Sequence, residues 1–161
     1  MKQWYADGLS FECERCSACC RHEPGYVFLS SRDIRDLMEA LALDFRSLLR
    51  NYCRIVDLGS HAALSLRETK NFDCILWGQG ACTVYAHRPV QCRTYPFWTQ
   101  VLATEAAWKT ESASCPGIGK GRKRSLSEIE SRLAERRESP ALKLERGVRM
   151  EDLDEDSLLG R

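Results

Sequence analysis

The sequence predicts a small, irregular α+β domain, and three observations point there. Two stripes of apolar residues at helical spacing follow one another between residues 30 and 52. Short β-prone runs, separated by glycine-containing turns, fill much of residues 55–85. The chain of 161 residues also carries 9 cysteines. That share is below the roughly 8–10% of a disulfide-packed miniprotein, yet too large for casual core filling. An apolar fraction of 43% is enough for a core, and the length fits one domain with a tail.

Taken in order, Gly25-Tyr26-Val27-Phe28-Leu29 is β-prone and predicts a short strand. Ser30 or Ser31 then caps a helix whose first turn holds Asp33 and whose apolar face is Ile34, Leu37, Met38 and Leu41. A second helix starts at Asp44, with Phe45, Leu48, Leu49 and Tyr52 as its buried stripe. Ala63-Leu64-Ser65-Leu66-Arg67 alternates like a strand. Cys74–Trp77 and Cys82–Tyr85 predict a hairpin about Gly78-Gln79-Gly80. Residues 98–102 and 106–110 predict a second hairpin, and Cys115-Pro116-Gly117-Ile118-Gly119 a loop. Lys120, Arg122, Lys123 and Arg124 form a basic connector. Beyond it, Ser125 with Glu128, or Ser127 with Glu130, predicts the capping box of a helix with face Leu126, Ile129 and Leu133, ending near Glu138 before Pro140. The charged last twenty residues predict a loosely held tail. The division expected is a domain over residues 1–121, then a C-terminal helix and charged tail over residues 122–161.

The strongest chemical signal is Cys13-x2-Cys16-x2-Cys19-Cys20. A two-residue gap lets two thiolates from one turn reach the same ion. A second set, Cys74, Cys82, Cys92 and Cys115, is spread along the chain, and Cys74 and Cys82 flank the expected turn. Four plus four is the arithmetic of two tetrathiolate sites or of one larger shared cluster. Cys53 follows a helical stripe and reads as a small buried hydrophobe. Arg15, Arg21, Arg88 and Arg93 stand near cysteines in sequence, where cations favour ionised sulfur. His22 and His87 are possible further ligands, and His61 has no evident role.

Thiolate ligands select zinc, copper(I) or iron–sulfur units over magnesium or calcium. A closed site of four thiolates around zinc is structural, whereas an iron–sulfur cluster would use the same ligands and could transfer electrons. The metal ions expected are zinc or iron, with an iron–sulfur cluster as the alternative. Residues 1–9 lack the apolar run of a signal peptide, and no stretch of 18 apolar residues exists. The expected location is therefore cytoplasmic, where clustered cysteines bind metal or catalyse rather than pair. With eight thiolates and two divalent ions, the formal charge of +1 becomes about −3.

The segments Cys13-x2-Cys16-x2-Cys19-Cys20-Arg21, Cys74, Cys82-Thr-Val-Tyr85-x2-Arg88-Pro89-x2-Cys92-Arg93-x-Tyr95-Pro96-Phe97 and Cys115-Pro116-Gly117-Ile118-Gly119-x-Gly121 resemble the CxxCxxCC family. Its members are also called YkgJ-like cysteine-cluster proteins and are described as zinc- or iron-chelating domains. The resemblance runs from about Phe11 to Gly121. It implies chelation by Cys13, Cys16, Cys19, Cys20, Cys74, Cys82, Cys92 and Cys115, and it supplies no settled reaction. Tyr85, Tyr95 and Phe97 would then shield the metal, with Arg88 and Arg93 donating to sulfur. Flagellin lysine methylases resemble the family too, which implies an iron–sulfur enzyme or electron-transfer protein as the alternative. The two-residue gaps here depart from the three-then-two spacing of a radical S-adenosylmethionine site, and the balance leans against an enzyme. A nucleic-acid-binding zinc module is a weaker alternative, resting on residues 120–124 with Trp98 and Trp108 as stacking partners. No membrane association is expected.

Overall fold

The computed structural model describes residues 3–160. Its α-helices and small antiparallel sheets place it in the α+β class. The elements run β1 (Leu9–Phe11), α1 (Ser31–Leu41), α2 (Phe45–Tyr52), β2 (Cys53–Asp57), β3 (Ala62–Leu66), β4 (Trp77–Gly78), β5 (Ala81–Cys82), α3 (Val90–Thr94), α4 (Glu105–Glu111), β6 (Ile118–Arg124), α5 (Leu126–Glu138), β7 (Lys143–Leu144) and α6 (Glu155–Leu159). The chain divides into two compact units, each built from two stretches. Unit 1 joins Met1–Cys19 to Thr94–Glu138, and unit 2 joins Cys20–Arg93 to Ser139–Arg161.

Unit 2 has a layered, mainly aliphatic core. Ser30 caps α1 in a reciprocal box: its hydroxyl accepts from the Asp33 N–H, and the Asp33 carboxylate accepts from the Ser30 N–H. Asp44 caps α2 by accepting from the Ser47 N–H. Ile34, Leu37, Leu48 and Leu49 are fully buried, as the helical spacing predicts. Each such side chain stabilises the fold by about 1.5–3 kcal/mol. They pack with Leu29, Leu64 and Leu66 into one cluster. The sheet order is β2-β3-β7, and all five residues of β3 are buried, so both of its faces are covered. Alternation therefore understates that strand's burial.

The expected strand over residues 25–29 reduces to an isolated bridge between Phe28 and Ser65. Val27 and Leu29 do bond to β3, through Leu66 N–H to Val27 O and Leu29 N–H to Leu64 O. The Phe28 N–H and the Tyr26 carbonyl instead engage the side-chain amide of Gln91, which replaces a neighbouring strand. The C-terminal segment is no loose tail. β7 pairs with β3, α6 follows, and Leu144, Leu153 and Leu159 enter the core of unit 2. Its charges lie between those apolar anchors, and composition alone hides the anchors.

Unit 1 has a smaller core rich in aromatic rings. Phe97 stacks on Trp108 at 5.6 Å and meets Phe11 edge-on at 5.4 Å, while Tyr5, Ile129 and Leu133 complete the cluster. Two expectations fail here. Residues 106–110 belong to helix α4, not a hairpin. Thr104 caps it by accepting from the Ala107 N–H, Glu105 pairs with Lys109 one turn on, and the alanines favour helix. Residues 120–124 are not a connector but most of β6, which pairs with β1 across a bulge between Ser10 and Phe11. Ser125 and Glu128 cap α5 reciprocally, and the helix ends at Glu138 as predicted.

Candidate metal centre

Among the described residues, the nine cysteines form no disulfide. Cys53 is fully buried in the core of unit 2, and burial pushes its thiol up to about 12. That is the chemistry of a structural hydrophobe rather than a ligand. The other eight divide evenly. Cys13, Cys16, Cys19 and Cys115 belong to unit 1, and Cys20, Cys74, Cys82 and Cys92 to unit 2.

In unit 1, β1 delivers the chain to the Cys115 turn. The Glu12 N–H donates to Gly117 O at 3.2 Å. A Cβ on Gly117 would lie 2.1 Å from the Glu12 carbonyl oxygen, so only glycine permits this approach. The loop that follows uses positive φ at Arg15 and Ser17 and carries Cys13, Cys16 and Cys19, all exposed. Cys115 is buried. Its N–H donates to Glu111 O at the end of α4, and its carbonyl accepts from the Ile118 N–H. Burial raises the Cys115 thiol, and the nearby sulfurs of Cys16, Cys19 and Cys13 push the same way. Tyr95 donates to Glu111 Oε1 at 2.5 Å. Burial first, then Glu111, Cys115 and Cys19, raise its phenol, which sets the ring beside two of the thiols.

In unit 2 the cysteines are half-buried and tied by backbone bonds. The Cys74 N–H donates to Cys20 O at 2.7 Å, and the Trp77 N–H to Cys74 O at 2.8 Å. Trp77 pairs with Cys82 across the β4–β5 hairpin. Its two-residue loop, Gln79-Gly80, has positive φ at both positions, as a tight primed turn requires. Arg21, next to Cys20, donates to Asp73, next to Cys74, at 3.0 Å. The same guanidinium lies 3.8 Å over the Trp77 ring, closing this corner. Cys92 sits on α3. That helix is fixed by Val90 N–H donating to the buried Asp33 at 2.7 Å and by the Gln91 amide.

The arginines singled out with the family segment have other visible partners. Arg88 donates to Tyr85 O and stacks over the Tyr85 ring at 3.8 Å. Arg93 donates to Arg88 O and lies 3.8 Å from Asp33. His22 and His87 are exposed, and the His61 ring meets the Ser60 hydroxyl. Among the described residues, no three His, Cys, Asp or Glu side chains surround one point in ligating geometry. The basic run of β6 is partly neutralised, Lys120 by Glu14 and Arg122 by Glu128. Trp108 is buried and unavailable to stack on a base. Among the described residues, no helix is long and apolar enough to cross a membrane.

Sequence reasoning missed Asp33 as the tether of α3, the Arg21–Asp73–Trp77 group and the Tyr95–Glu111 pair. Each joins residues distant in the chain, and only the adjacency of Arg21 and Asp73 to cysteines offered a signal.

Compared with known families, residues 12–116 match the model of the CxxCxxCC family, whose description reads "Putative zinc- or iron-chelating domain". No solved structure matches the chain.

Proposed function

The chain belongs to the CxxCxxCC family, and from that premise we propose that it binds zinc or iron through Cys13, Cys16, Cys19, Cys20, Cys74, Cys82, Cys92 and Cys115. The observation that carries this reading is the even division of eight thiols between two units, seven of them exposed or half-buried and Cys115 buried near the surface loop's sulfurs, with the ninth, Cys53, sealed in a core. Four sulfurs are the donor set that a structural zinc ion or an iron–sulfur cluster takes. A bound metal would supply cross-linking of distant chain segments, and as a cluster it would also supply electron transfer. The protein's own residues do the rest. Gly117 lets the segment leading to Cys13 approach the Cys115 turn, the Arg21–Asp73 pair steadies the Cys20–Cys74 contact, and the Tyr95 phenol is held by Glu111 near Cys115. Nine reduced thiols fit the reducing cytoplasm.

The test is purification without oxygen, followed by elemental analysis and a visible spectrum. Stoichiometric zinc in a colourless protein supports a structural zinc domain. A brown protein with iron and sulfide supports the iron–sulfur alternative. A folded chain with neither metal refutes the reading.

A further inference from the structure

We infer that the eight cysteines form two separate four-thiolate sites, one inside each unit, and that the chain passes from one site to the other between the adjacent residues Cys19 and Cys20. Cys13, Cys16, Cys19 and Cys115 hold one centre; Cys20, Cys74, Cys82 and Cys92 hold the other. This rests on the metal-binding reading above and adds its stoichiometry and ligand assignment. The spacing alone leaves the grouping open, since the four N-terminal cysteines can supply one site or split between two.

Three observations argue for the split. The boundary of the two units falls at Cys19/Cys20 on one side and at Arg93/Thr94 on the other, which sends Cys92 with Cys20 and Cys115 with Cys19. Ala18–Cys20 is a single 3₁₀ turn. With three residues per turn, side chains of adjacent residues leave that turn about 120° apart, so Cys19 and Cys20 aim at different points. Finally, each side has its own partner segment. Cys20 is bonded through its carbonyl to Cys74, and Cys74 leads through Trp77 to Cys82. The Cys13 end is held instead to the Cys115–Gly117 turn by the Glu12–Gly117 bond and the pairing of Phe11 with Ile118.

Cadmium-113 reports the partition, because cadmium accepts four thiolates as zinc does. The full chain is reconstituted with cadmium-113, and a proton–cadmium correlation spectrum is recorded on the unaltered protein. About two ions per chain are expected. One resonance should couple to the β-protons of Cys13, Cys16, Cys19 and Cys115, and the other to those of Cys20, Cys74, Cys82 and Cys92. Cadmium–cadmium coupling would reveal shared, bridging thiolates and overturn the proposal. So would correlation of Cys19 and Cys20 to one ion. In Cys19→Ser only the first resonance should disappear, with metal falling to about one ion per chain; in Cys20→Ser only the second should. Uptake with a different partition defeats this inference and leaves the metal reading intact, whereas no uptake at all defeats both.

Discussion

The two units solve the same problem with different materials. Unit 2 packs two capped helices against a three-stranded sheet, with a core of leucine and isoleucine, and its candidate ligands are half-buried and bonded through the backbone. Unit 1 has a two-stranded ribbon, one long helix and a small aromatic core, and three of its four candidate ligands sit on an exposed loop with positive φ at Arg15 and Ser17. A domain with little buried area needs a staple, and metal is the staple the cysteines offer. On the proposed reading, unit 1 should therefore depend on metal for its fold more than unit 2 does.

The largest test of that difference is metal removal. Structural zinc contributes about 10–16 kcal/mol of apparent binding energy in zinc-finger peptides, and that energy is folding energy. Chelation should unfold unit 1 first. Three of the four tryptophans, Trp4, Trp98 and Trp108, lie in unit 1, so emission should shift to the red. Amide exchange in β2 and β3 should stay slow meanwhile. Simultaneous loss of both would erase the contrast.

The reverse cut removes residues 139–161, which all belong to unit 2. Leu144, Leu153 and Leu159 leave its core, each removing about 1.5–3 kcal/mol of burial. Unit 2 should lose cooperative unfolding in urea, while the aromatic near-ultraviolet signal of unit 1 persists. An unchanged unfolding midpoint would return this segment to the status of a tail.

A smaller effect is confined to the core of unit 2. Burial holds the Cys53 thiol at about 12, against an ordinary value of 9.0 in the unfolded chain. The folded state keeps its proton where the unfolded state has lost it. The stabilisation is therefore full below pH 9 and is lost as pH rises through 12, amounting to as much as about 4 kcal/mol. Stability of the parent should fall more steeply across that window than stability of Cys53→Ala. Parallel curves would mean that the thiol is not sealed. The smallest effect is expected at Asp33, the tether of α3. Asp33→Ala leaves both the Val90 N–H and the Ser30 N–H without their acceptor and should cost about 3 kcal/mol in chemical denaturation.

What the sequence revealed follows from range. Both helices after the first cysteine cluster, their caps, the apolar faces, the tight hairpin and the C-terminal helix were legible, because each is coded within a few residues. β6 was not. Its Lys-Gly-Arg-Lys-Arg run looks like a linker until β1, more than a hundred residues earlier, supplies its partner. The last segment reads as a tail for the same reason: Leu144, Leu153 and Leu159 declare themselves only within the core of unit 2. Among candidate ligands, the eight cysteines and the exclusion of Cys53 came from spacing and burial logic. The proposed grouping is not legible there, since it depends on the division of the chain between Cys19 and Cys20.

X-ray absorption at the metal edge of the anaerobically purified chain tests the central claim most directly. Thiolate ligation of zinc predicts a first shell made of sulfur alone, at about 2.3 Å; an iron–sulfur cluster would likewise show sulfur, with a second metal beyond it. A first shell dominated by nitrogen or oxygen would contradict the assignment of metal to these eight cysteines.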